Sequence, residues 1–324
     1  MKIAVLDDYQ DVFRNLARFA LLGDHEVVVF RDTEKNPARL VTRVRDADVV
    51  VLYAQRSSFP RAVIEQLPAL KLVTQAASLK DHLDVAACTE KGIAVAAVPA
   101  GIPYPTTELT WGLILASVRH IPYEAQQLQR GIWQTTVGTE LRSRTLGIYS
   151  LGKIGDCVAQ VGRAFGMKVI CWGRESSLAK ARAAGYEVPA SREAFFENAD
   201  VVSLHIRYNE ETRGIITAAD LARMKQTALI VNTSRARLIA DGALVEALKQ
   251  GRPGFAAVDV YENEPVLGGN HPLLKMPNVL CTPHLGGTVQ AAYERVYNPM
   301  IDSILGFAAG KPVNIINPEA LRRR

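Results

Sequence analysis

Three short segments in the last third of the chain carry polar side chains whose chemistry fits together. The segments contain Arg235, Glu264 and His284, and each follows an apolar run that is typical of a buried parallel strand. In an open α/β sheet, ligands bind at the carboxyl ends of such strands. An arginine there can grip a carboxylate, a histidine can transfer a proton, and a glutamate can hold the histidine in its charged form. The combination predicts a site for a small anionic carbonyl compound.

Each of these residues suits one step in proton-transfer chemistry on such a compound. The guanidinium of Arg235 is always charged, so it can bind the substrate carboxylate and polarise the neighbouring carbonyl. The imidazole of His284 can exchange a proton near physiological pH, which makes it the predicted acid/base. Glu264 is expected to bond the second ring nitrogen and to fix the orientation of the ring. We therefore predict that all three residues are catalytic and that Arg235 and His284 also bind the substrate.

A second motif predicts a dinucleotide site. The apolar strand LGIY runs into the turn from Ser150 to Gly155, which is followed by a helix and by the strand KVICW. In this Rossmann context a glycine turn and a helix N-terminus contact a diphosphate. Ser150 stands where the G-x-G-x-x-G fingerprint has its first glycine, so the turn must accommodate a Cβ atom. The predicted contacts are Leu151, Gly152, Lys153, Ile154 and Gly155.

The residues after the strand KVICW bear on the choice between NAD and NADP. Enzymes specific for NAD usually carry Asp or Glu there, where the carboxylate binds the ribose 2′-hydroxyl. Gly173 and Arg174 stand in that place, and Glu175 follows them. Because an arginine can pair with a 2′-phosphate, we predict that Arg174 binds the cofactor and that NADP is preferred over NAD. In the alternative, Glu175 turns back to a ribose hydroxyl.

The catalytic segments, in this order and these contexts, resemble those of the D-isomer-specific 2-hydroxyacid dehydrogenases. This family includes glyoxylate/hydroxypyruvate reductases and phosphoglycerate dehydrogenases. The resemblance runs over nearly the whole chain, from KIAVLDD to NIINP, and is most specific from Ala228 to Gly287. It implies an oxidoreductase that transfers hydride between a nicotinamide cofactor and a small 2-oxo acid/D-2-hydroxy acid pair. Glyoxylate and hydroxypyruvate are the favoured substrates.

The resemblance also implies further contacts to the cofactor. His205, Thr233 and Ser234 are expected beside the nicotinamide ribose, and Asp259 is expected to bind the nicotinamide carboxamide. Gly286, in the CTPHLGG segment, is assigned to the same site.

A substrate loop in the first part of the chain is the third implication of the resemblance. The segment VTQAASLKDHLD matches the family loop whose backbone N–H groups meet the substrate carboxylate, and Ser78 and Leu79 are the expected donors. Ala77 stands where family members usually have glycine, which narrows the backbone conformations open to this loop.

Alternating strand and helix patterns predict an α/β fold with two doubly wound parallel sheets. Following the family, a flavodoxin-like substrate-binding domain comprises residues 1–101 and 288–324, and a Rossmann dinucleotide-binding domain comprises residues 102–287. A long helix from about Val289 to Ala309 returns the chain to the first domain. Other helical patterns are Asp11 to Leu21, Pro60 to Leu67 and the strongly apolar Leu109 to Ile121. The family uses this last region in a two-fold dimer, so a homodimer is expected.

Composition narrows the class of protein further. The 324 residues are 48% hydrophobic and 22% charged, which is ordinary for a globular protein. The net charge of +5 comes from scattered Lys and Arg, so we predict anionic small molecules as partners and no nucleic acid. No apolar run approaches the roughly 20 residues that span a bilayer. The four cysteines lack metal-binding spacing, and the chain opens directly in a strand, so we expect no metal and a cytoplasmic location.

Two other functions remain open at this point. Some relatives bind a dinucleotide as non-catalytic sensors or corepressors, although the presence of Arg235, Glu264 and His284 favours an enzyme. A dehydrogenase of the same fold with a different donor is the second alternative. Phosphoglycerate dehydrogenase is one such enzyme, and formate enzymes are expected to have glutamine in place of Glu264.

Overall fold

The computed structural model describes residues 1–53, 56–76, 82–99 and 101–322. The chain divides into two compact units. Unit 1 comprises Met1–Ile102 and Val289–Arg324, and unit 2 comprises Pro103–Thr288.

Among the described residues, unit 1 contains a five-stranded parallel sheet in the order β2-β1-β3-β4-β5. Its strands are β1 (Lys2–Leu6), β2 (Glu26–Val29), β3 (Val49–Leu52), β4 (Leu72–Ala76) and β5 (Ala94–Val98). Its first helices are α1 (Pro37–Val44), α2 (Arg61–Ile64) and α3 (Val85–Glu90). This is the flavodoxin-like strand order. The inner strands are apolar at nearly every position because both faces of the sheet are covered.

The region from Asp11 to Leu21 is not the predicted α-helix. It forms two 3-10 segments, Phe13–Asn15 and Ala17–Leu22, separated by Leu16 in an extended conformation. The carboxylate of Asp8 accepts the first N–H groups of the segment, so the chain turns tightly at this point. The helix predicted at Pro60 to Leu67 is likewise reduced to the single turn of α2.

Unit 2, all of whose residues are described, contains a six-stranded parallel sheet in the order β11-β10-β9-β8-β6-β7. Its strands are β6 (Thr145–Tyr149), β7 (Lys168–Trp172), β8 (Val201–Leu204), β9 (Leu229–Asn232), β10 (Phe255–Val258) and β11 (Val279–Cys281). Its helices are α4 (Tyr104–Val118), α5 (Ile121–Gln129), α6 (Lys153–Ala164), α7 (Glu175–Ala183), α8 (Arg192–Asn198), α9 (Ala218–Arg223) and α10 (Ala243–Lys249). A parallel bridge between Ile170 and Glu187 extends the sheet beyond β7, which completes the Rossmann order.

The apolar helix predicted at Leu109 to Ile121 is α4, which begins earlier, at Tyr104, and ends at Val118. A left-handed residue, His120, separates it from α5. Within unit 2, α4 packs on β9, β10 and α6. Much of its apolar surface is therefore used inside the unit.

The last helix, α11 (Gln290–Ala308), returns the chain to unit 1, as its apolar spacing predicts. It buries Tyr297, Met300 and Ile304 against the sheet. The tail then pairs with the edge strand β5 through Asn314 and Ile316. Among the described residues, no helix is both long enough and apolar enough to cross a membrane.

Candidate active site

The turn between β6 and α6 has an unusual backbone. Ser150 has a φ of 77°, in the left-handed region that a residue with a Cβ atom enters only at a cost. Its N–H donates to the carbonyl of Trp172 at 2.7 Å, and its own carbonyl accepts the N–H of Gly152 at 3.0 Å. Neighbouring backbone therefore holds Ser150 in the conformation that glycine adopts freely.

The two remaining fingerprint glycines have different local surroundings. A Cβ atom on Gly155 would lie 2.6 Å from the carbonyl oxygen of Ser150, which is backbone and cannot easily move. A Cβ atom on Gly152 would meet nothing within 4 Å. Gly155 thus allows helix and turn to pack closely, while Gly152 leaves an open approach to the N-terminus of α6. This arrangement fits a dinucleotide diphosphate.

His205 follows β8, the strand next to β6. Its Nε2 atom lies 2.9 Å from the hydroxyl of Ser203, and its buried Nδ1 atom has no hydrogen-bond partner among the described residues. Burial lowers the pKa of His205 to about 4, so the ring is neutral at physiological pH. The predicted contact of His205 to the nicotinamide ribose remains a prediction, because the nitrogen without a partner is buried.

The loop after β9 is organised by the side chain of Asn232. Its oxygen accepts the N–H of Ser234, and its nitrogen donates to the carbonyl of Arg235, both at 3.0 Å. The hydroxyl of Ser234 donates to the carbonyl of Leu204 at 2.7 Å, which ties the loop to β8. Arg235 is exposed and donates to the carbonyl of Ser234 at 2.7 Å. The side chain of Asn232 thus holds the backbone of Arg235 firmly.

Thr233, the remaining residue of this loop, is anchored from a different direction. Its hydroxyl lies 2.9 Å from that of Thr110 on α4, and both side chains are buried. No local pattern in the sequence points to Thr110, because the contact spans more than a hundred residues.

His284 and Glu264 form a close pair. The Nδ1 atom of His284 lies 2.7 Å from one carboxylate oxygen of Glu264, and the other carboxylate oxygen accepts the N–H of Tyr261 at 2.9 Å. The histidine side chain is 25% exposed and that of the glutamate 14%. Because Nδ1 faces the glutamate, Nε2 is the nitrogen that can exchange a proton with a substrate.

The buried carboxylate of Asp259 holds the loop that carries His284. One oxygen accepts the hydroxyl of Thr282 at 2.6 Å and the N–H of Leu285 at 2.7 Å, and the other accepts the N–H of Gly286 at 2.9 Å. Burial raises the pKa of Asp259, while these donors and the nearby His284 lower it. Most of its bonding capacity is used within the loop, so its predicted contact to the nicotinamide carboxamide remains a prediction.

A second anchor for this loop was not predicted from the sequence. The hydroxyl of Thr106 on α4 donates to the carbonyl of Gly286 at 3.0 Å. A Cβ atom on Gly286 would come within 3.4 Å of both Thr106 and Asp259, so glycine suits the position.

The topology of the sheet brings three of the predicted site residues to one edge. Arg235, Asp259 and His284 follow β9, β10 and β11, which are neighbours in the sheet. Since adjacent strands lie about 4.8 Å apart, the strands that lead to Arg235 and His284 are separated by about 10 Å. Ser78 and Leu79, predicted for the substrate loop, lie outside the described residues.

Comparisons with known proteins agree with this geometry. Residues 111–286 match the family described as D-isomer specific 2-hydroxyacid dehydrogenase, NAD binding domain. The chain is 35% identical to a glyoxylate reductase of Aeropyrum pernix, over 88% of this chain and 87% of that protein. It is also 35% identical to a D-3-phosphoglycerate dehydrogenase of Methanocaldococcus jannaschii, over 98% of this chain and 59% of that protein. A solved structure described as a D-3-phosphoglycerate dehydrogenase oxidoreductase, from Ralstonia solanacearum, is 46% identical to this chain, with a TM-score of 0.95, and the match covers 99% of this chain and 98% of that one.

The chain therefore belongs to the D-isomer-specific 2-hydroxyacid dehydrogenase family. It is an oxidoreductase that uses a nicotinamide cofactor and acts on a 2-oxo acid/D-2-hydroxy acid pair. The family and the two parallel-sheet α/β domains expected from the sequence are confirmed.

The contrast between Gly155 and Gly152 gives a paired test of the dinucleotide turn. We expect Gly155→Ala to destabilise the fold by about 1–3 kcal/mol through overpacking and to abolish cofactor binding. Gly152→Ala should leave thermal unfolding nearly unchanged, because its Cβ atom meets no protein atom, yet should weaken cofactor binding by obstructing the diphosphate. Thermal unfolding and fluorescence titration with NADPH and NADH measure both effects. Full binding by Gly152→Ala would contradict the placement of the diphosphate.

Proposed function

We propose that this enzyme reduces small 2-oxo acids, with glyoxylate and hydroxypyruvate as favoured substrates. The observation that carries the proposal is the contact of 2.7 Å between His284 and Glu264, on the same sheet edge as Arg235. An ion-pairing carboxylate behind an imidazole suits proton transfer to a carbonyl oxygen. The identity of the Aeropyrum pernix relative as a glyoxylate reductase supports the choice of substrate.

In this proposal, the guanidinium of Arg235 binds the substrate carboxylate and draws electron density from the carbonyl. The nicotinamide cofactor supplies the hydride when it is bound. The Nε2 atom of His284 donates a proton to the carbonyl oxygen, which becomes the hydroxyl of the product. Glu264 accepts a hydrogen bond from Nδ1, so the ring keeps its orientation while its charge changes. In the oxidation direction, neutral His284 accepts the hydroxyl proton.

Oxidation of NADPH and NADH against glyoxylate, hydroxypyruvate, pyruvate and bulkier 2-oxo acids tests this function. We expect His284→Ala to lower kcat by about 10²–10⁴-fold while cofactor binding survives. Arg235→Ala should raise the substrate KM by about ten- to a hundredfold, because it removes a charged hydrogen-bonding partner. His271→Ala is the matched control, since His271 bonds Glu262 and caps a 3-10 turn. Turnover at the wild-type rate in His284→Ala would refute the mechanism.

Phosphoglycerate oxidation is the second candidate function. The relative in Methanocaldococcus jannaschii favours it, since its identity to this chain is equal to that of the glyoxylate reductase. D-3-phosphoglycerate therefore belongs in the same assay, and a higher kcat/KM than for any unphosphorylated substrate would favour this alternative. The sensor or corepressor function receives no support from the structure, in which the His284 and Glu264 pair is assembled.

We further propose that the cofactor is NADP. Gly173 has a φ of 150°, a conformation that essentially only glycine adopts, so the acid typical of NAD enzymes does not fit this backbone. The carboxylate of Glu175 lies 2.8 Å from Arg182, which draws it towards its own helix. Arg174, which stands between Gly173 and Glu175, is exposed. Within the described residues, its side chain makes no hydrogen bond. A 2′-phosphate is the group that its charge suits.

Kinetics with both cofactors test the role of Arg174. We expect Arg174→Ala to raise the KM for NADPH by about tenfold, because a charge-assisted hydrogen bond is lost, and to leave the KM for NADH nearly unchanged. Lys180→Ala, on the exposed face of the same helix, controls for a general loss of positive charge. Equal effects of Arg174→Ala on the two cofactors would count against the assignment.

We also propose that the enzyme is a homodimer formed through the segment that follows α4. This part of unit 2 exposes several large apolar side chains, and Trp133 and Val137 are 73% and 93% exposed. Exposed apolar groups of this kind mark association surfaces. The family resemblance assigns dimer contacts to the stretch from Leu109 to Ile121, which lies just before this segment in the sequence.

Light scattering at micromolar concentration measures the oligomeric state. We expect a dimer for the wild-type chain and a monomer for Trp133→Glu, because a buried unpaired charge opposes association. Leu267→Glu is the matched control, since Leu267 is 67% exposed on a different loop of unit 2. A wild-type protein that is monomeric in this measurement would contradict the proposed homodimer.

The location we propose is the cytoplasm. The four cysteines are free, which suits a reducing compartment. Cell fractionation with the full chain tests this, and recovery outside the cytoplasmic fraction would contradict it.

A further inference from the structure

Ser177, in the first turn of α7, contacts the dinucleotide turn from outside it. Its hydroxyl oxygen accepts the N–H of Leu151 at 2.5 Å, and both residues are buried. The N–H of Ser177 donates to the carbonyl of Arg174 at 2.8 Å, which fixes the start of α7. The side chain of Ser177 therefore joins the loop after β7 to the turn after β6.

The loop after β7 packs closely at this junction. A Cβ atom on Gly173 would lie 3.3 Å from the side chain of Ser177 and 3.4 Å from the Cα atom of Ser150. The glycine thus lets Ser177 approach the turn.

With this bond, the N–H groups of the three turn residues that precede α6 all have acceptors within the protein. Ser150 donates to Trp172, Leu151 to Ser177, and Gly152 to Ser150. The first N–H groups of a helix lack such acceptors, so those at the start of α6 are the donors left for a diphosphate. The direction of α6 relative to the turn consequently decides where the diphosphate binds.

We propose that Ser177 is a positioning residue for the dinucleotide, and that its hydroxyl compensates for serine in place of the first fingerprint glycine. The left-handed conformation of Ser150 is unfavourable for a residue with a Cβ atom. The bond from Leu151 to Ser177 fixes the next peptide unit and so holds the strained turn in its binding conformation. The proposal rests on dinucleotide binding by this enzyme and holds for NADP and NAD alike.

A double-mutant cycle between positions 150 and 177 tests this inference. The dissociation constants of NADPH and NADH are measured by fluorescence titration for the wild-type chain, Ser177→Ala, Ser150→Gly and the double variant. In the Ser150 background, Ser177→Ala should weaken binding of both cofactors by about tenfold, the effect of losing one well-formed hydrogen bond. In the Ser150→Gly background the same change should weaken binding by less than about threefold, since glycine adopts the turn without strain.

Two further measurements separate positioning from a general structural role. Ser303→Ala removes another buried serine hydroxyl, which bonds the carbonyl of Pro299 in unit 1, and it should leave both dissociation constants unchanged. The KM for the 2-oxo acid, measured at saturating cofactor, should be the same in Ser177→Ala and the wild-type chain.

Three results would overturn the proposal. Unchanged cofactor binding in Ser177→Ala would show that the hydroxyl does not position the turn. Equal losses in the Ser150 and Ser150→Gly backgrounds would show that it does not compensate for Ser150. Failure of the wild-type chain to bind either cofactor would refute the proposed function itself. This result is seen without any substitution, whereas the other two appear only in the variants.

Discussion

The buried carboxylate of Asp259 fixes the loop on which the proposed acid/base chemistry depends. It gathers one hydroxyl and two backbone N–H groups from the segment between Thr282 and Gly286. Within that segment His284 has a φ of 55°, a left-handed conformation that an isolated chain would rarely adopt. The hydrogen bonds to Asp259 on either side offset this cost, and Glu264 then orients the ring. Without Asp259, the histidine would keep its partner but lose its fixed backbone.

The dinucleotide turn of unit 2 is stabilised in the same way, by hydrogen bonds that hold an unfavourable backbone conformation. Ser150, like His284, has a left-handed backbone that is held by bonds from neighbouring segments. Sparsely populated conformations of this kind concentrate at functional sites, where the surrounding structure over-determines them. In both places the anchoring partner comes from another strand end or helix start, namely Asp259 after β10 and Ser177 in α7. The parallel sheet thus supplies rigid supports for loops that would otherwise relax.

The sequence predicted the strand ends well and the tertiary anchors poorly, for identifiable reasons. Buried parallel strands are almost continuously apolar, so the polar residues that follow them, such as Arg235, are conspicuous. Ser177 and Thr282 act across 26 and 23 residues of sequence, and no local pattern marks such contacts. The apolar spacing of the segment from Asp11 to Leu21 predicts an α-helix, and the prediction is wrong because 3-10 and α-helices have similar apolar spacing. There the carboxylate of Asp8, which spacing does not reveal, decides the outcome.

The proposed preference for NADP depends on the backbone as much as on one side chain. The φ of 150° at Gly173 brings the loop after β7 close to both Ser150 and Ser177. An aspartate at this position would need a different backbone, and its Cβ atom would press on the junction that holds the dinucleotide turn. Arg174, one residue later, faces solvent at the start of α7, where the N–H groups of the helix also favour an anion. The close packing that supports the diphosphate turn therefore disfavours an acidic residue at position 173 as a partner for the ribose. The next position accepts a cationic side chain, and this agrees with the proposed role of Arg174 in binding a 2′-phosphate.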